Sequence, residues 1–287
     1  MKTLLIISGK GGTGKTTISS AFIKANEIRA FADCDVEAPN LYLVTYPSLK
    51  TTTKEYCGGY KATIDTAKCI KCGECKDNCR FSAITNFIVD EYKCEGCGLC
   101  EALCRVNAIK LNKDVSGFIT IREEGERFVY GSLKCGRGNS GKLVSTVKKE
   151  LGKLTTIIDT VVIDGPPGLG CPVISAFAGV DLALIVSEEG KSGFSDMCRM
   201  IETCKLNQVE CCVLLNKVSD NKSPFITEVK EYCDKMKVPY VGQLLYNSAI
   251  VKANNEANSI INFDEEMKKS MIEVFDKVKN ILYRRSL

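Results

Sequence analysis

The sequence GKGGTGKT, residues 9–16, constrains the fold of this chain more than any other feature. It follows a short apolar run, LLIIS, and precedes TTISSAFIKAN, in which apolar residues recur at helical spacing. The pattern predicts a buried strand, a glycine loop and a helix, which is the context in which G-x-x-x-x-G-K-[ST] binds phosphate. Backbone N–H groups of such a loop and the positive end of the helix dipole surround the phosphate. A glycine-rich turn without a ligand is the structural alternative, and the strand and helix on either side argue against it.

The rest of the chain alternates strand and helix patterns on both sides of a cysteine-rich block. Predicted strands include IRAFADCD (ending at Asp35), TVVIDGPPG, DLALIVS, ECCVLLNK and VPYVGQLLY, and GFITIREEGERFVYGSL predicts a hairpin that turns at EEGE. Near-continuous apolar strands that alternate with amphipathic helices predict an α/β fold with a mostly parallel sheet covered by helices. We therefore assign residues 1–56 and 113–287 to this domain and residues 57–112 to an inserted α+β domain.

Seventeen cysteines and no histidine narrow the chemistry. The N-terminal apolar run is short and passes directly into glycines, so we expect no signal peptide and a cytoplasmic protein, in which cysteines ligate metals or clusters more often than they form disulfides. The absence of histidine excludes imidazole bases, Cys/His zinc fingers and Rieske centres. No apolar run reaches about 18 residues, so we expect no membrane span. The formal net charge is +4, and Lys and Arg are interspersed with Asp and Glu rather than clustered. The sequence therefore shows no basic patch of the kind that binds nucleic acid.

Eight of the cysteines form two copies of C-x₂-C-x₂-C-x₃-C, offset by 25 residues. This is the spacing of bacterial two-cluster ferredoxins, in which the fourth cysteine of each copy ligates the other cluster. It predicts one [4Fe–4S] cluster on Cys69, Cys72, Cys75 and Cys104, and a second on Cys94, Cys97, Cys100 and Cys79. Zinc is the competing interpretation, although structural zinc sites usually pair two C-x₂-C knuckles across a longer gap. Arg80 and Arg105 replace the usual prolines, which leaves the cluster potentials open.

The whole chain resembles the MinD/Mrp-superfamily P-loop ATPases that contain an inserted ferredoxin domain with two [4Fe–4S] clusters. The matching segments are the glycine loop with its second lysine, DCDVEAPN, the double cysteine motif, NSGKLV and DGPPGLGCPVI, in that order. The resemblance implies a deviant Walker A loop on a MinD/ParA-like fold, binding of ATP and Mg²⁺, hydrolysis of ATP and a homodimer around the nucleotide.

The resemblance also implies roles for individual residues. Lys10 would reach the nucleotide of a partner subunit, Asp35 would position the attacking water, and Asn216 would contact the adenine edge. Lys15 would contact the β/γ-phosphates, as the loop motif itself indicates. Mg²⁺ would be held on the side of Thr16, Asp33 and Asp164. The nucleotide-binding loop comprises Gly9, Gly11, Gly12, Thr13, Gly14, Lys15, Thr16 and Thr17. For Asp33, Asp164 and Asn216 a purely structural role as a cap or loop residue stays open.

The nine remaining cysteines lie outside the double motif. Six fall in predicted strands or helices, where buried structural roles are expected: Cys34, Cys198, Cys204, Cys211, Cys212 and Cys233. Cys57 and Cys135 flank the insertion and their role is open. Cys171 follows the Walker B loop and either reports nucleotide state, contacts a transferred cluster or is structural.

Three functions fit these features. The first is an ATPase that couples nucleotide state to electron transfer through the clusters, acting on a redox or cofactor-maturation protein. The second is an iron–sulfur carrier or assembly factor of the Mrp type, against which the full ligation of two closed clusters argues. The third is a non-redox positioning switch of the ParA/MinD type. The sequence leaves open the partner, the direction of electron flow and the oligomeric state.

Overall fold

A computed structural model of the chain describes residues 1–45, 50–155 and 158–284. They form two compact units. The first comprises Met1–Thr52, Thr120–Gly131 and Ser140–Leu287, and the second comprises Thr53–Ile119 and Ser132–Asn139. The second unit contains the cysteine-rich block and is larger than the insertion assigned from the sequence.

The secondary structure follows the predicted alternation. The strands, in chain order, are β1 (Lys2–Ser8), β2 (Ala30–Asp33), β3 (Thr52–Ile64), β4 (Ile84–Thr85), β5 (Ile88–Val89), β6 (Ile109–Arg122), β7 (Arg127–Leu133), β8 (Thr160–Pro167), β9 (Leu182–Glu188), β10 (Cys211–Val218) and β11 (Tyr240–Leu245). The helices are α1 (Lys15–Ala25), α2 (Leu41–Thr45), α3 (Glu74–Asp77), α4 (Leu99–Leu103), α5 (Ser140–Leu154), α6 (Cys171–Phe177), α7 (Lys191–Leu206), α8 (Pro224–Met236), α9 (Ala249–Asn255) and α10 (Glu265–Leu282). Strands β6 and β7 contribute residues to both units.

The sheet of the first unit has the order β11-β10-β9-β1-β8-β2-β7, and neighbouring strands in it run parallel. Its central strands are buried along nearly their whole length, as apolar runs covered on both faces require. Strand β1 lies between β8 and β9, so the carboxyl ends of these strands meet at one edge of the sheet. Ligands of open parallel sheets bind at this edge.

The last helix, α10, packs on the sheet through an apolar stripe. Its buried side chains are Met267, Met271, Val274, Phe275, Val278, Ile281 and Leu282. Phe275 meets Phe22 of α1 edge to face, with ring centroids 4.9 Å apart. This segment is therefore a packing helix. Among the described residues, no helix is both long and apolar enough to cross a bilayer.

The second unit repeats one local arrangement. Each short helix, α3 and α4, is preceded by a glycine in the left-handed region, Gly73 at φ 90° and Gly98 at φ 84°. The equivalent residues Ile84 and Ile109 are both buried, and they pack in a small core with several of the cysteines. The duplication in the sequence therefore appears again as a duplication in the backbone.

The structure differs from the predicted elements at three places. Strand β2 ends at Asp33 rather than Asp35, because the Asp33 carboxylate accepts the N–H of Asp35 at 2.9 Å and turns the chain. The predicted turn at residues 123–126 is confirmed, but the hairpin also feeds the main sheet, since β7 pairs in parallel with β2. Strand β3 is 13 residues long and was not predicted, because only a few of its side chains are buried and its alternation is weak.

Candidate functional site

The glycine loop of the first unit forms the start of a cradle. Gly12 and Gly14 adopt φ values of 79° and 94°, which residues with a side chain rarely adopt. Helix α1 begins at Lys15 directly after Gly14, and no side chain caps its N-terminus. The first N–H groups of a helix have no partner within it, so this uncapped end offers donors and a positive dipole end to an anion.

Asp164 lies buried behind the loop, and its carboxylate accepts hydrogen bonds from two hydroxyl groups. Thr16 Oγ1 donates to its Oδ2 at 2.7 Å, and Ser19 Oγ donates to its Oδ1 at 2.8 Å. Carboxylate and hydroxyl oxygens are the hard ligands that Mg²⁺ prefers. The pair Thr16 and Asp164 therefore fits the predicted Mg²⁺ side of the site.

Asp33 is fully buried and holds the loop that follows β2. Its carboxylate accepts the backbone N–H groups of Asp35, Asn40 and Leu41 at 2.9–3.0 Å. Burial and the nearby Asp164 carboxylate raise the pKa of Asp33 to about 8. Asp33 and Asp164 are register partners on the neighbouring strands β2 and β8. Two buried carboxylates that repel each other favour a cation, so the electrostatics fit a divalent ion on this side of the loop.

Asp35 faces the loop lysine. Lys15 Nζ lies 3.8 Å from Asp35 Oδ2, and Lys15 is buried. Burial raises the pKa of Asp35, and the Lys15 ammonium opposes this shift. The structure thus brings together the predicted phosphate-binding lysine and the residue predicted to position water.

The second lysine of the loop is bound within its own chain. Lys10 Nζ lies 2.5 Å from Glu188 Oε1, and this hydrogen bond raises the pKa of Lys10. Lys217 Nζ lies 3.8 Å from the other oxygen of Glu188 and also donates to the carbonyl of Gly12. In this structure Lys10 therefore points to the carboxyl end of β9, and its predicted reach to a partner subunit stays a prediction.

Asn216 braces the loop. Its Nδ2 donates to the Thr13 carbonyl at 2.8 Å, and the side chain is buried. A Cβ at Gly14 would lie 2.5 Å from that Nδ2, so this contact needs a glycine at position 14. The amide donor is thus used by the loop, and the predicted contact of Asn216 with an adenine base stays a prediction.

A cavity of about 510 Å³ lies over the loop. Its polar wall includes Lys15, Thr16 and Asp35, and its apolar wall is formed by Leu43, Val44, Tyr246, Ile250 and Val251. The volume lies within the range of small-molecule sites. A cavity with cationic and N–H donors at one end and apolar side chains at the other fits a nucleotide, with phosphates on the loop.

Sequence reasoning missed three residues of this site. Glu188 ends β9, and the rule that carboxyl ends of parallel strands meet at one edge could have identified it. Ser19 follows Thr16 by three positions, the spacing that places two side chains on one helix face. Lys217 gave no signal, since a single lysine near the end of a strand, here β10, is common.

The second unit contains a cavity of about 280 Å³ between the two cysteine motifs. Five of the eight motif cysteines line it: Cys75, Cys79, Cys94, Cys97 and Cys100. The fourth cysteine of each motif accepts a hydrogen bond from the backbone N–H four residues later. Ala83 N–H donates to Cys79 Sγ at 3.5 Å, and Ala108 N–H donates to Cys104 Sγ at 3.2 Å. Such N–H···S contacts favour thiolates and are typical of cluster ligands.

No group of three or more His, Cys, Asp or Glu side chains within residues 1–45, 50–155 and 158–284 is arranged to hold a metal ion. This argues against a mononuclear zinc site, which draws its sulfurs toward one ion. A four-iron cube separates its thiolates, so it needs a cavity between them rather than convergence on one point. The cavity is lined by all four cysteines predicted for the second cluster and by Cys75 alone of the first cluster's four, and the present side-chain positions define the coordination of neither.

The burial of the nine remaining cysteines agrees in part with the prediction from the sequence. Cys34, Cys204, Cys211, Cys212 and Cys233 are buried, and Cys198 is half-buried. Cys57 is half-buried, and Cys135 and Cys171 are exposed. For the buried thiols, a structural role stays the prediction from the sequence.

Residues 4–260 match the model of the CobQ/CobB/MinD/ParA nucleotide binding domain. The chain belongs to this family. The MinD/ParA-type P-loop fold, its mostly parallel sheet and its nucleotide-binding loop follow from that membership and from the geometry above. An uncharacterised protein of Methanocaldococcus jannaschii is 35% identical over 286 residues, which cover 97% of each chain. A second uncharacterised protein of that organism is 25% identical over 272 residues, which cover 92% of this chain and 93% of the relative.

Solved structures of other family members share the fold. The Pyrococcus furiosus cell division ATPase MinD matches with a TM-score of 0.57 and 16% identity over 98% of this chain and 99% of its own. MinD of Pyrococcus horikoshii, solved with Mg-ADP, matches with a TM-score of 0.56 and 17% identity over 99% of each chain. Cyanothece McdA, solved with ATP, matches with a TM-score of 0.57 and 17% identity over 100% of this chain and 98% of its own. At identities of 16–17%, the likeness to these structures shows a shared fold and nothing more.

Proposed function

We propose that this chain is an ATP-hydrolysing switch whose second unit carries two [4Fe–4S] clusters, so that nucleotide state is coupled to electron transfer. The observation that carries the nucleotide half is the set of Lys15, Asp35, Thr16 and Asp164 around an uncapped helix N-terminus. The observation that carries the cluster half is the duplicated cysteine motif with equivalent N–H···S contacts, together with a cavity lined by Cys79, Cys94, Cys97 and Cys100.

Phosphoryl transfer needs positioning and charge neutralisation more than covalent chemistry. Lys15 and the N–H groups of α1 bind the phosphates, and Asp35 accepts a hydrogen bond from the attacking water. Thr16 and Asp164 hold Mg²⁺, which supplies Lewis-acid neutralisation of the phosphate charge. Asp33 keeps Asp35 in place, because its carboxylate accepts the Asp35 N–H.

Lys10 gives the switch its second state. Within one chain it pairs with Glu188, and in a nucleotide-bound homodimer it leaves that carboxylate for the phosphates of the partner subunit. The structures of MinD with Mg-ADP and of McdA with ATP, as named above, support nucleotide binding by this fold. The exchange of one anionic partner for another leaves the charge of Lys10 neutralised in both states.

The thiolates of the second unit hold the clusters in the crossed arrangement given by the spacing. Cys69, Cys72, Cys75 and Cys104 ligate the first, and Cys94, Cys97, Cys100 and Cys79 ligate the second. Each cluster supplies a site that takes up or releases one electron. Because each motif donates its fourth cysteine to the other cluster, residues 57–112 act as one interlocked ferredoxin-like domain.

The non-redox positioning switch is a second candidate. The solved structures with this fold, MinD and McdA, favour it, and so does the lack of converging metal ligands among the described side chains. The Mrp-type carrier is the third, and eight cysteines that fully ligate two clusters count against release of either one.

An anaerobic experiment separates the three. The ATPase rate is measured with the protein oxidised and reduced, and the midpoint potentials are measured with and without ATP and Mg²⁺. Coupled electron transfer predicts that each quantity responds to the other site. If neither responds, the coupling is wrong and the non-redox switch is supported; if iron passes to an apo-protein with loss of visible absorbance, the carrier is supported.

Lys15→Ala is the matched control for the nucleotide site. It removes the ammonium that faces Asp35, so hydrolysis is lost, while the cluster absorbance of the second unit is retained. Loss of both signals would contradict independent folding of the two units.

A further inference from the structure

The two halves of the duplicated cysteine motif differ in charge although their cysteines match one for one. Residues 68–80 carry four cationic and two anionic side chains, whereas residues 93–105 carry two of each. The contrast is sharpest at Lys71 and Lys76, whose counterparts 25 residues later are Gly96 and Glu101. The first half is therefore the basic half of the second unit.

The two loops also differ in exposure, at Lys71 and its counterpart Gly96. At Gly96 an added Cβ would lie 2.2 Å from the Tyr60 carbonyl, so β3 covers the second loop closely. Lys61, also on β3, donates to the Cys94 carbonyl of that loop. The equivalent first loop presents Ile70 and Lys71 to solvent, with Ile70 65% exposed, whereas Cys72 and its counterpart Cys97 are both exposed.

The backbone of this loop carries a lysine where a glycine would be easier. Lys71 adopts φ 59°, in the left-handed region, and Gly96 adopts φ 63° at the equivalent position. A residue with a side chain is strained in that region. Neither Lys71 nor Lys76 forms an ion pair with any described residue.

We propose that Ile70, Lys71 and Lys76 form a docking face for an acidic electron-carrier protein, and that the first cluster site is the port through which electrons pass to it. This inference rests on the proposed clusters. Encounters between redox proteins are small and weak, and complementary charge steers them. The exposed Ile70, Lys71, Cys72 and Lys76 lie within seven residues of the chain and supply an apolar side chain, two cationic side chains and a predicted ligand cysteine. Because Lys71 and Lys76 are positively charged, the complementary partner is acidic.

The test uses two haem proteins of opposite charge as probes, the acidic soluble domain of cytochrome b5 and the basic cytochrome c. The cluster-loaded protein is reduced with dithionite, freed of it, and mixed anaerobically with each ferric probe. One electron leaves the reduced cluster protein and one ferric haem becomes ferrous, which the haem absorbance reports. The second-order rate constant is measured at low and high salt.

Two variants that remove equal charge are compared. Lys71→Gln with Lys76→Gln neutralises the docking face, and Lys93→Gln with Lys110→Gln neutralises two exposed lysines of the second half. At low salt we expect the first variant to slow reduction of cytochrome b5 by roughly tenfold and to flatten its salt dependence, because local steering is lost. The second variant should change the rate by less than about twofold, and neither should slow reduction of cytochrome c.

Carbodiimide cross-linking gives a readout that does not depend on electron transfer. The unaltered protein should form a one-to-one product with cytochrome b5, and the product should be lost with the first variant only. Equal slowing or equal cross-linking by both variants would overturn the docking face, since net charge alone would then explain the effect. Absence of iron and sulfide from the unaltered protein would overturn the cluster proposal itself and the docking face with it.

Discussion

Asp33 links the stability of the first unit to pH. In the folded state its pKa is about 8, while an aspartate in the unfolded chain titrates near its ordinary value of about 4. Between these values the folded protein binds the extra proton, so the free energy of unfolding falls as pH rises toward 8. We expect a fall of a few kcal/mol between pH 5.5 and 8.5 in chelator, measured by urea unfolding.

Asp33→Asn provides the comparison for that pH dependence. An amide does not titrate, so the free energy of unfolding of this variant should change much less with pH, whatever its absolute stability. ATP with Mg²⁺ should also reduce the fall in the unaltered protein, because a cation compensates the buried charge. Parallel pH profiles for the variant and the unaltered protein would show that another group is responsible.

Substitution of Asn216 distinguishes a contact with the nucleotide base from a structural hydrogen bond to the loop. Since its amide donates to the buried Thr13 carbonyl, Asn216→Ala leaves that carbonyl unpaired, a penalty of about 1–3 kcal/mol. We expect ATP and GTP to bind more weakly by a similar factor, roughly tenfold or more, in titration calorimetry. Asn26→Ala removes the matched bond to the Phe22 carbonyl, away from the cavity, and should not affect binding. Selective loss of ATP over GTP would instead support the adenine contact predicted from resemblance.

Single residues also mark how far sequence alone reaches. Lys15, Thr16, Asp35 and Asp164 were predicted and lie together, because a glycine loop and strand ends place them by local rules. The pairing of Lys10 with Glu188 joins positions far apart in the chain and depends on which strands are neighbours. The hydrogen bond from Asn216 to the loop also depends on strand order. It forms because β9 lies between β10 and β1 and so brings the end of β10 close to the loop.

At the scale of elements, Gly96 is the position where strand and cysteine loop meet most closely within the second unit. Gly96→Ala would put a Cβ 2.2 Å from the Tyr60 carbonyl on a backbone at φ 63°. We expect a loss of more than about 2 kcal/mol in thermal unfolding and a loss of cluster absorbance.

Gly138→Ala is the matched control in the same unit. An added Cβ there meets nothing within 4 Å, so stability should stay within about 0.5 kcal/mol of the unaltered protein. Equal behaviour of the two variants would contradict the close packing of β3 on the second loop.

The same scale shows which elements a sequence predicts well. The buried parallel strands and α10 were recognisable, since long apolar runs and a 3.6-residue stripe are local signals. Strand β3 and helix α6 were not, because β3 is mostly exposed and α6 is only seven residues long. Both elements depend on neighbours rather than on their own pattern.

The assembly of the whole molecule depends on Lys10. With a non-hydrolysable ATP analogue and Mg²⁺ we expect the chain to dimerise in sedimentation velocity, because Lys10 then has a phosphate partner across the interface. Lys10→Ala should bind the analogue with little change but remain a monomer. Glu188→Gln removes the competing carboxylate and should dimerise at lower concentration.

Lys15→Ala, which lacks the phosphate-binding ammonium, should neither bind the analogue nor dimerise. A Lys10→Ala protein that dimerises as well as the unaltered chain would contradict the exchange of Lys10 between Glu188 and a partner's nucleotide.

The presence of clusters decides whether this ATPase-like chain is a redox protein. The most direct measurement is iron and acid-labile sulfide per chain in protein purified or reconstituted without oxygen. Two [4Fe–4S] clusters predict about eight irons and about eight sulfides, falling by half in Cys79→Ser and in Cys104→Ser, because each removes one ligand of a different cluster. Zinc without sulfide, or no metal at all, would contradict the account and leave a non-redox nucleotide switch.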